Sequence, residues 1–329
     1  MMDIIETLPS FRQFDYRLRP NKGAERRMLI ETFRRLSFFE PIKNYRYIGF
    51  GSTTFSDFIL MHRALNITDM ISIEKRIDYQ LRFDFNKPFS CVSIKYGDST
   101  EILPQLSWDM RVIVWLDYDG RLTNTVMQDI SYVSSCVSSG SMLIVTVNSE
   151  GYHSPWNMGI KKINKKLRSR FEYESGFTLP AGTEGKHLQG IEMANTCRRL
   201  IEEKIEITLR DRNGLQTKET QMQYRPFLNF VYRDGAQMLT VGSIFYYARD
   251  ESILSKCRFK DLGFTTSKND ELYQINLPVM TTRERHYLDQ RLPADSCDEA
   301  LNIGLKQDEI ENYIRLYRYC PSFAEVELI

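Results

Sequence analysis

Residues 45–58 read YRYIGFGSTTFSDF, and the succession of residue types in that stretch decides the fold. Residues 45–50 form a short aromatic and apolar run, Gly49-Phe50-Gly51 interrupts it, and residues 55–65 continue with helical spacing. A strand that passes through small residues into a helix opens a parallel α/β unit, because glycine permits the tight turn and the helix then crosses back over the sheet. The unit recurs downstream. Strand-like runs at 69–74, 90–96, 112–116 (VIVWL) and 142–147 (MLIVTV) alternate with helical segments at 78–86, 99–106 and 124–135. Five strands in such alternation predict a doubly wound parallel sheet. The all-apolar runs VIVWL and MLIVTV suit central strands covered on both faces.

Outward from this core, residues 21–36 read as an amphipathic helix. Met28, Leu29, Thr32, Phe33 and Leu36 make its apolar stripe, with Arg26, Arg27, Glu31, Arg34 and Arg35 outside it. Residues 151–225 are polar and irregular, with a basic helix at 158–170 and an acidic one near Glu202. Runs at 227–233 and 238–247 flank Asp234-Gly235, a hairpin signal that brings the sheet to about seven strands. Residues 282–319 read as short helices broken at Pro293 and Gly304. The chain therefore divides into an N-terminal helical segment (1–40), a sheet core (41–150), an irregular insert (151–225), the hairpin (226–250) and a helical tail (251–329).

A hydrophobic fraction of 42% is enough for a large core and excludes a disordered chain. Lys and Arg total 44 against 43 Asp and Glu, so no global charge draws the protein to nucleic acid or membrane. No run approaches the ~18 apolar residues of a membrane-spanning helix, and the N-terminus lacks the build of a secretory signal. The six cysteines (91, 136, 197, 257, 297, 320) are scattered without CxxC spacing, which points to reduced thiols of a cytoplasmic protein.

Ligands of open α/β sheets bind beyond the carboxyl ends of the strands. The first strand is followed there by Gly49, Gly51, Ser52 and Asp57, and the second ends at Glu74. Asp98 and Ser99 follow the third, and Asp117 and Asp119 the fourth. Glu74 lies 23 residues beyond Gly51 (74 − 51), a spacing that suits a carboxylate accepting from a ribose diol. Asp98 with Glu101 also fits a helix capping box, and Asp119-Gly120 a turn. Thr54 stands where a dinucleotide fingerprint needs its third glycine, and no GxxxxGK[ST] loop exists. An acid-rich rim suits a nucleoside without phosphates. S-adenosylmethionine, with its sulfonium and amino group, fits. Asp117 and Asp119 are candidate bases for a hydroxyl acceptor, and two carboxylates are too few for a metal site, so none is expected.

IGFGSTTFSDF, ISIEK, YGDSTEILPQL, VWLDYDG and VYRDGAQMLTVGSIF resemble the class I S-adenosylmethionine-dependent methyltransferases, seven-stranded Rossmann-like enzymes, and within them bacterial O-methyltransferases. The resemblance spans roughly residues 20–150 and 226–250. It implies that Gly49 and Gly51 pass the methionine moiety, Glu74 binds the ribose, Asp98 and Ser99 bind the adenine edge, and Asp117 lies at the methyl-transfer end. No acid precedes the glycines as it does in many members, so Asp57 or Asp117 is left to hold the cofactor's amino group. The N-terminal stretch is also similar to the opening helix of RNA ribose 2′-O-methyltransferases, where a Lys assists an Asp after strand four; Lys22 and Asp117 match that pair. The implied activity is methyl transfer to an oxygen or nitrogen of an unidentified small molecule, protein or nucleic acid. The alternative is a non-catalytic binding or sensor subunit that meets a protein partner through the insert or tail. The basic residues near Lys22 and the run Lys161, Lys162, Lys165, Lys166, Arg168 and Arg170 have the charge to track a phosphate backbone, but solvated helix faces are the simpler account of both stretches. Tyr152, His153, Trp156 and Phe177 either line an acceptor pocket or seal the insert onto the sheet.

Overall fold

The apolar runs become strands in a computed structural model that describes residues 19–153, 160–265, 271–293 and 303–321. In chain order its elements are α1 (Pro20–Arg34), β1 (Arg46–Gly49), α2 (Ser56–Leu65), β2 (Asp69–Glu74), α3 (Gln80–Asn86), β3 (Val92–Tyr96), α4 (Ser99–Ile102), β4 (Val112–Arg121), α5 (Asn124–Cys136) and β5 (Met142–Asn148). There follow α6 (Ile160–Ser175), α7 (Glu192–Asn213), β6 (Met222–Arg233), β7 (Gln237–Tyr247), α8 (Glu251–Lys256), β8 (Tyr273–Ile275), α9 (Thr282–Asp289) and α10 (Gln307–Leu316). One mixed sheet runs β3-β2-β1-β4-β5-β7-β6-β8. The chain moves outward from β1 to β3 and then returns to place β4 on the other side of β1, which opens a crevice at the β1/β4 switch point.

Strand alternation sends side chains to two faces, and each face builds a core. Ile113 and Trp115 of β4 join Met28, Leu29 and Phe33 of α1 and Phe58 and Met61 of α2. Val112, Val114 and Leu116 join Val126, Ile130 and Val133 of α5 and Cys197, Ile201 and Ile205 of α7. The tail helices α9 and α10 close a small third cluster around Leu288, Ile310 and Tyr313. Among the described residues no helix is long and apolar enough to cross a membrane.

The structure departs from the expectations in four places. Residues 151–225 are more regular than their polarity suggests: α7 is a 22-residue helix packed on α5, its Met193, Cys197, Ile201 and Ile205 buried at helical spacing. Strand β6 starts at Met222 and passes Pro226 through a register shift, because proline cannot donate to the ladder. A three-residue strand, β8, pairs parallel to β6 and makes the sheet eight-stranded. Asp119-Gly120 is no turn; β4 shifts register after Asp117 and resumes pairing at Arg121 opposite Asn148.

The hairpin acid has a second task. The Asp234 carboxylate accepts the N–H groups of Asn21 (3.3 Å) and Lys22 (2.8 Å), so the turn between β6 and β7 caps the free amides at the start of α1. Asn21 returns the contact through its amide to Arg233 O and Asp234, and accepts from Leu277 N–H at 2.8 Å. Asp234→Ala is expected to cost about 1–2 kcal/mol, read as a lowered urea midpoint at unchanged m-value.

Candidate active site

The carboxyl ends of β1 to β4 frame a cavity of about 530 Å³. Along this edge come Asp98 and Ser99 beyond β3, Glu74 at β2, Gly51, Ser52 and Asp57 beyond β1, and Asp117 with Asp119 at β4. Strands about 4.8 Å apart put roughly 14 Å between the outer members of this row. Gly49 is not among the lining residues; a side chain there would press on the Tyr47 hydroxyl (3.0 Å) and Trp115 O (3.2 Å). Gly51 does line the cavity, and a Cβ on it would collide with the Phe55 ring at 2.5 Å. Beyond it the chain turns through left-handed backbone at Ser52 (φ 54°) and Phe55 (φ 47°), conformations that non-glycine residues adopt only under constraint.

Glu74 is organised by that turn. Its Oε1 accepts from Gly51 N–H (2.9 Å) and Ser72 Oγ (2.7 Å). Burial opposes its charge more than these donors support it, and its carboxyl is pushed up to about 7. Ser52 Oγ, on the same cavity, is buried without a hydrogen-bond partner.

The wall opposite β1 comes from α1, where sequence periodicity misleads. Lys22, Glu25 and Arg26 are buried, not solvated. Lys22 Nζ meets both Asp117 oxygens at 2.9 and 2.8 Å and Glu25 Oε2 at 2.8 Å, and lies 4.4 Å from the centre of the Trp115 ring. Burial pulls the Lys22 pKa down, but Asp117 and Glu25 outweigh it, so the amine is held well above its ordinary value and stays charged. Burial also raises Glu25, which accepts from Thr240 Oγ1. Arg26 pairs with Asp57, whose charge outweighs the desolvation of the guanidinium and holds its pKa above the usual value. Helical spacing placed Arg26 outside the apolar stripe because periodicity cannot see an acid 31 residues away. Arg26 lines the cavity; Lys22 sits behind Asp117.

At the β3 end, Asp98 starts α4 without capping it through its side chain, so the expected capping box with Glu101 does not form; the carboxylate instead pairs with Lys75 at 2.6 Å. Ser99 Oγ and the Tyr118 hydroxyl both donate to Asp129 Oδ2. Tyr118, Arg121 and Arg26 also line the cavity; adjacency to the strand-end acids Asp117 and Asp119 is the sequence signal for the first two, and Arg26 has none. In the insert, Tyr152 is buried between the guanidinium groups of Arg121 and Arg170, each 4.5 Å from its ring centre. Phe177 packs edge-on against Phe171 in the second core, which is the sealing role. His153 is exposed, and Trp156 lies outside the described residues. Lys161, Lys162, Lys165 and Lys166 are exposed on α6, whereas Arg168 ties down the following loop through Thr183 O at 2.7 Å. Among the described residues no three His, Cys, Asp or Glu side chains gather as a metal site would require.

A doubly wound sheet closed by an antiparallel hairpin, with an acid-rimmed cleft over its switch point, defines a Rossmann-like fold with a nucleoside-sized cleft. The chain belongs to the family described as "Putative O-methyltransferase", whose model matches residues 14–328. No curated protein matches the chain. Among solved structures it is similar to Trm1 from Pyrococcus horikoshii with S-adenosyl-L-methionine (11% identity over 71% of this chain and 57% of that one, TM-score 0.45). It is also similar to the O-methyltransferase TomG from Streptomyces achromogenes with SAM (13%, 68% and 79%, TM-score 0.37) and to a LepI complex with SAM (9%, 64% and 46%, TM-score 0.37). The chain thus spans about half the length of LepI and of Trm1.

Removing the buried ammonium leaves two carboxylates facing each other in a dry site. Lys22→Met is expected to destabilise the fold by about 3–5 kcal/mol, measured by chemical denaturation.

Proposed function

We propose that this cleft binds S-adenosylmethionine and that the protein transfers its methyl group to an oxygen acceptor beside Asp117. The observation that carries the reading is the row of acids along one sheet edge, in which Glu74, at the end of β2 on the cavity wall, suits a ribose diol. The residues fit such a cofactor. The unpartnered Ser52 Oγ offers a polar contact on the cavity wall, and the Asp57 and Asp117 carboxylates suit a ligand carrying an ammonium and a sulfonium. Either carboxylate keeps free lone pairs beside its own cation, since an ionised carboxylate accepts about four hydrogen bonds. Ser99 and Asp98 then face the base.

When bound, the cofactor supplies an activated methyl group for in-line displacement. The chain's part is positioning and proton removal. Asp117, fixed through both oxygens by Lys22, takes the proton of the acceptor hydroxyl, and Asp119 lies on the same rim. Two observations favour a second reading, a nucleic-acid ribose as the acceptor: Lys22 and Asp117 are in contact, and α6 offers four exposed lysines for phosphates.

Asp117→Asn is expected to lose methyl transfer while S-adenosylhomocysteine binding, held also by Glu74 and Asp57, only weakens, assayed with labelled methyl donor against RNA, protein and small-molecule pools and by calorimetry. A non-catalytic module would transfer to none of these pools even as wild type. Transfer confined to the RNA pool would select the second reading.

Glu74 supplies a pH test. Ribose hydroxyls donate to the ionised carboxylate, and that form is lost below about 7. Affinity for S-adenosylhomocysteine should therefore fall about tenfold from pH 8 to pH 6, one pH unit below the midpoint costing about 1.4 kcal/mol. Glu74→Gln should abolish the dependence. The sign is opposite for the empty fold: the folded pKa lies above the ordinary 4.5, so ionising Glu74 removes stability as pH rises from 4.5 to about 7. Calorimetric titration across this range checks the first expectation and thermal unfolding the second.

A further inference from the structure

Asp129 on α5 is buried, its Oδ2 accepts from two hydroxyls, and its Oδ1 is buried with no hydrogen-bond partner. A carboxylate placed so is expensive, and packing alone does not call for one. What distinguishes it is where its two donors stand, because Ser99, beyond β3, and Tyr118, on β4, both line the cavity. An ionised carboxylate only accepts, so each hydroxyl must spend its single O–H on Asp129. Ser99 Oγ is left with lone pairs alone to offer the cavity. A side chain without an acceptor at position 129 would let the serine proton turn either way.

We propose that Asp129 is a positioning residue for base selection: by fixing Ser99 as an acceptor toward the cavity, it makes the site take a 6-aminopurine nucleoside and reject a 6-oxopurine one. The inference rests on the reading of this cleft as an S-adenosylmethionine site, with the base at the β3 end. A 6-amino group donates to Ser99 Oγ, whereas a 6-oxo group brings a second acceptor against it. Asp98 stands next to Ser99 on the same wall with a carboxylate that likewise only accepts, which reinforces the preference.

The test compares S-adenosylhomocysteine with S-inosylhomocysteine, its 6-oxo analogue, by calorimetry on the whole protein. Wild type should prefer the amino form by about tenfold or more, the penalty of an unpaired buried acceptor. In Asp129→Ala the preference should shrink to about threefold or less, since both hydroxyls lose their acceptor and the serine proton is free to turn to the cavity. Ser99→Ala, which changes no buried charge, should erase it too and covers the case in which the Asp129 variant does not fold. Equal loss of affinity for both ligands, or an unchanged ratio in either variant, overturns the proposal. If wild type binds neither ligand, the cofactor reading itself fails. If it binds the amino form and the ratio ignores both substitutions, only the role of Asp129 is refuted.

Discussion

A single buried ammonium, Lys22 Nζ, holds the site together. It touches carboxylates from β4 and from its own helix and rests over the Trp115 ring, so α1 cannot slide along the sheet without exposing uncompensated charge. The contact extends inward. Glu25 accepts from Thr240 of β7, Thr240 meets Thr146 of β5 at 2.8 Å, and Thr146 accepts from Trp115 Nε1 of β4 at 3.0 Å. One polar chain thus crosses three strands beneath the helix. Buried ion pairs of this kind contribute little net stability, because desolvation offsets most of the attraction; their effect is to allow one arrangement and penalise the rest. The arrangement allowed is the one that presents Asp117 to the cleft.

The same principle separates what could be read from the sequence from what could not. Strands β1, β2, β4 and β5 were legible because burial on both faces forces continuous apolar runs such as VIVWL, edge strand β3 because its residues alternate between covered and exposed, and the acids after them because strand ends of a doubly wound sheet converge on one rim. Helix α7 hid its period under many charges, although Cys197, Ile201 and Ile205 carry it. Strand β8 is too short to show any. Lys22 and Arg26 looked solvated because a charge is read as exposed unless its partner is known, and those partners lie 95 and 31 residues away. Asp234 announced the turn it occupies. Nothing local could announce that it also caps a helix 212 residues earlier.

The cleft is polarised along its length, and that asymmetry constrains how a reaction could use it. Near β4 the charges are dry: Lys22 and Arg26 are almost fully covered, and Asp117 is 21% exposed. Near β3 the Asp98 side chain is 43% exposed and pairs with a surface lysine. Electrostatic interactions strengthen as water is excluded, so under the proposed reading the amino-acid half of the cofactor is held by strong, geometrically strict contacts and the base by weaker, selective ones. An acceptor must then enter where Asp117 still meets solvent. Exposed Asp119 and Gly120 mark that opening, and Arg121, next along β4, reaches Tyr152 and Glu174 at the base of α6. Under the same proposed reading, variation in the insert would bear on the acceptor while the charge network under α1 stays as it is.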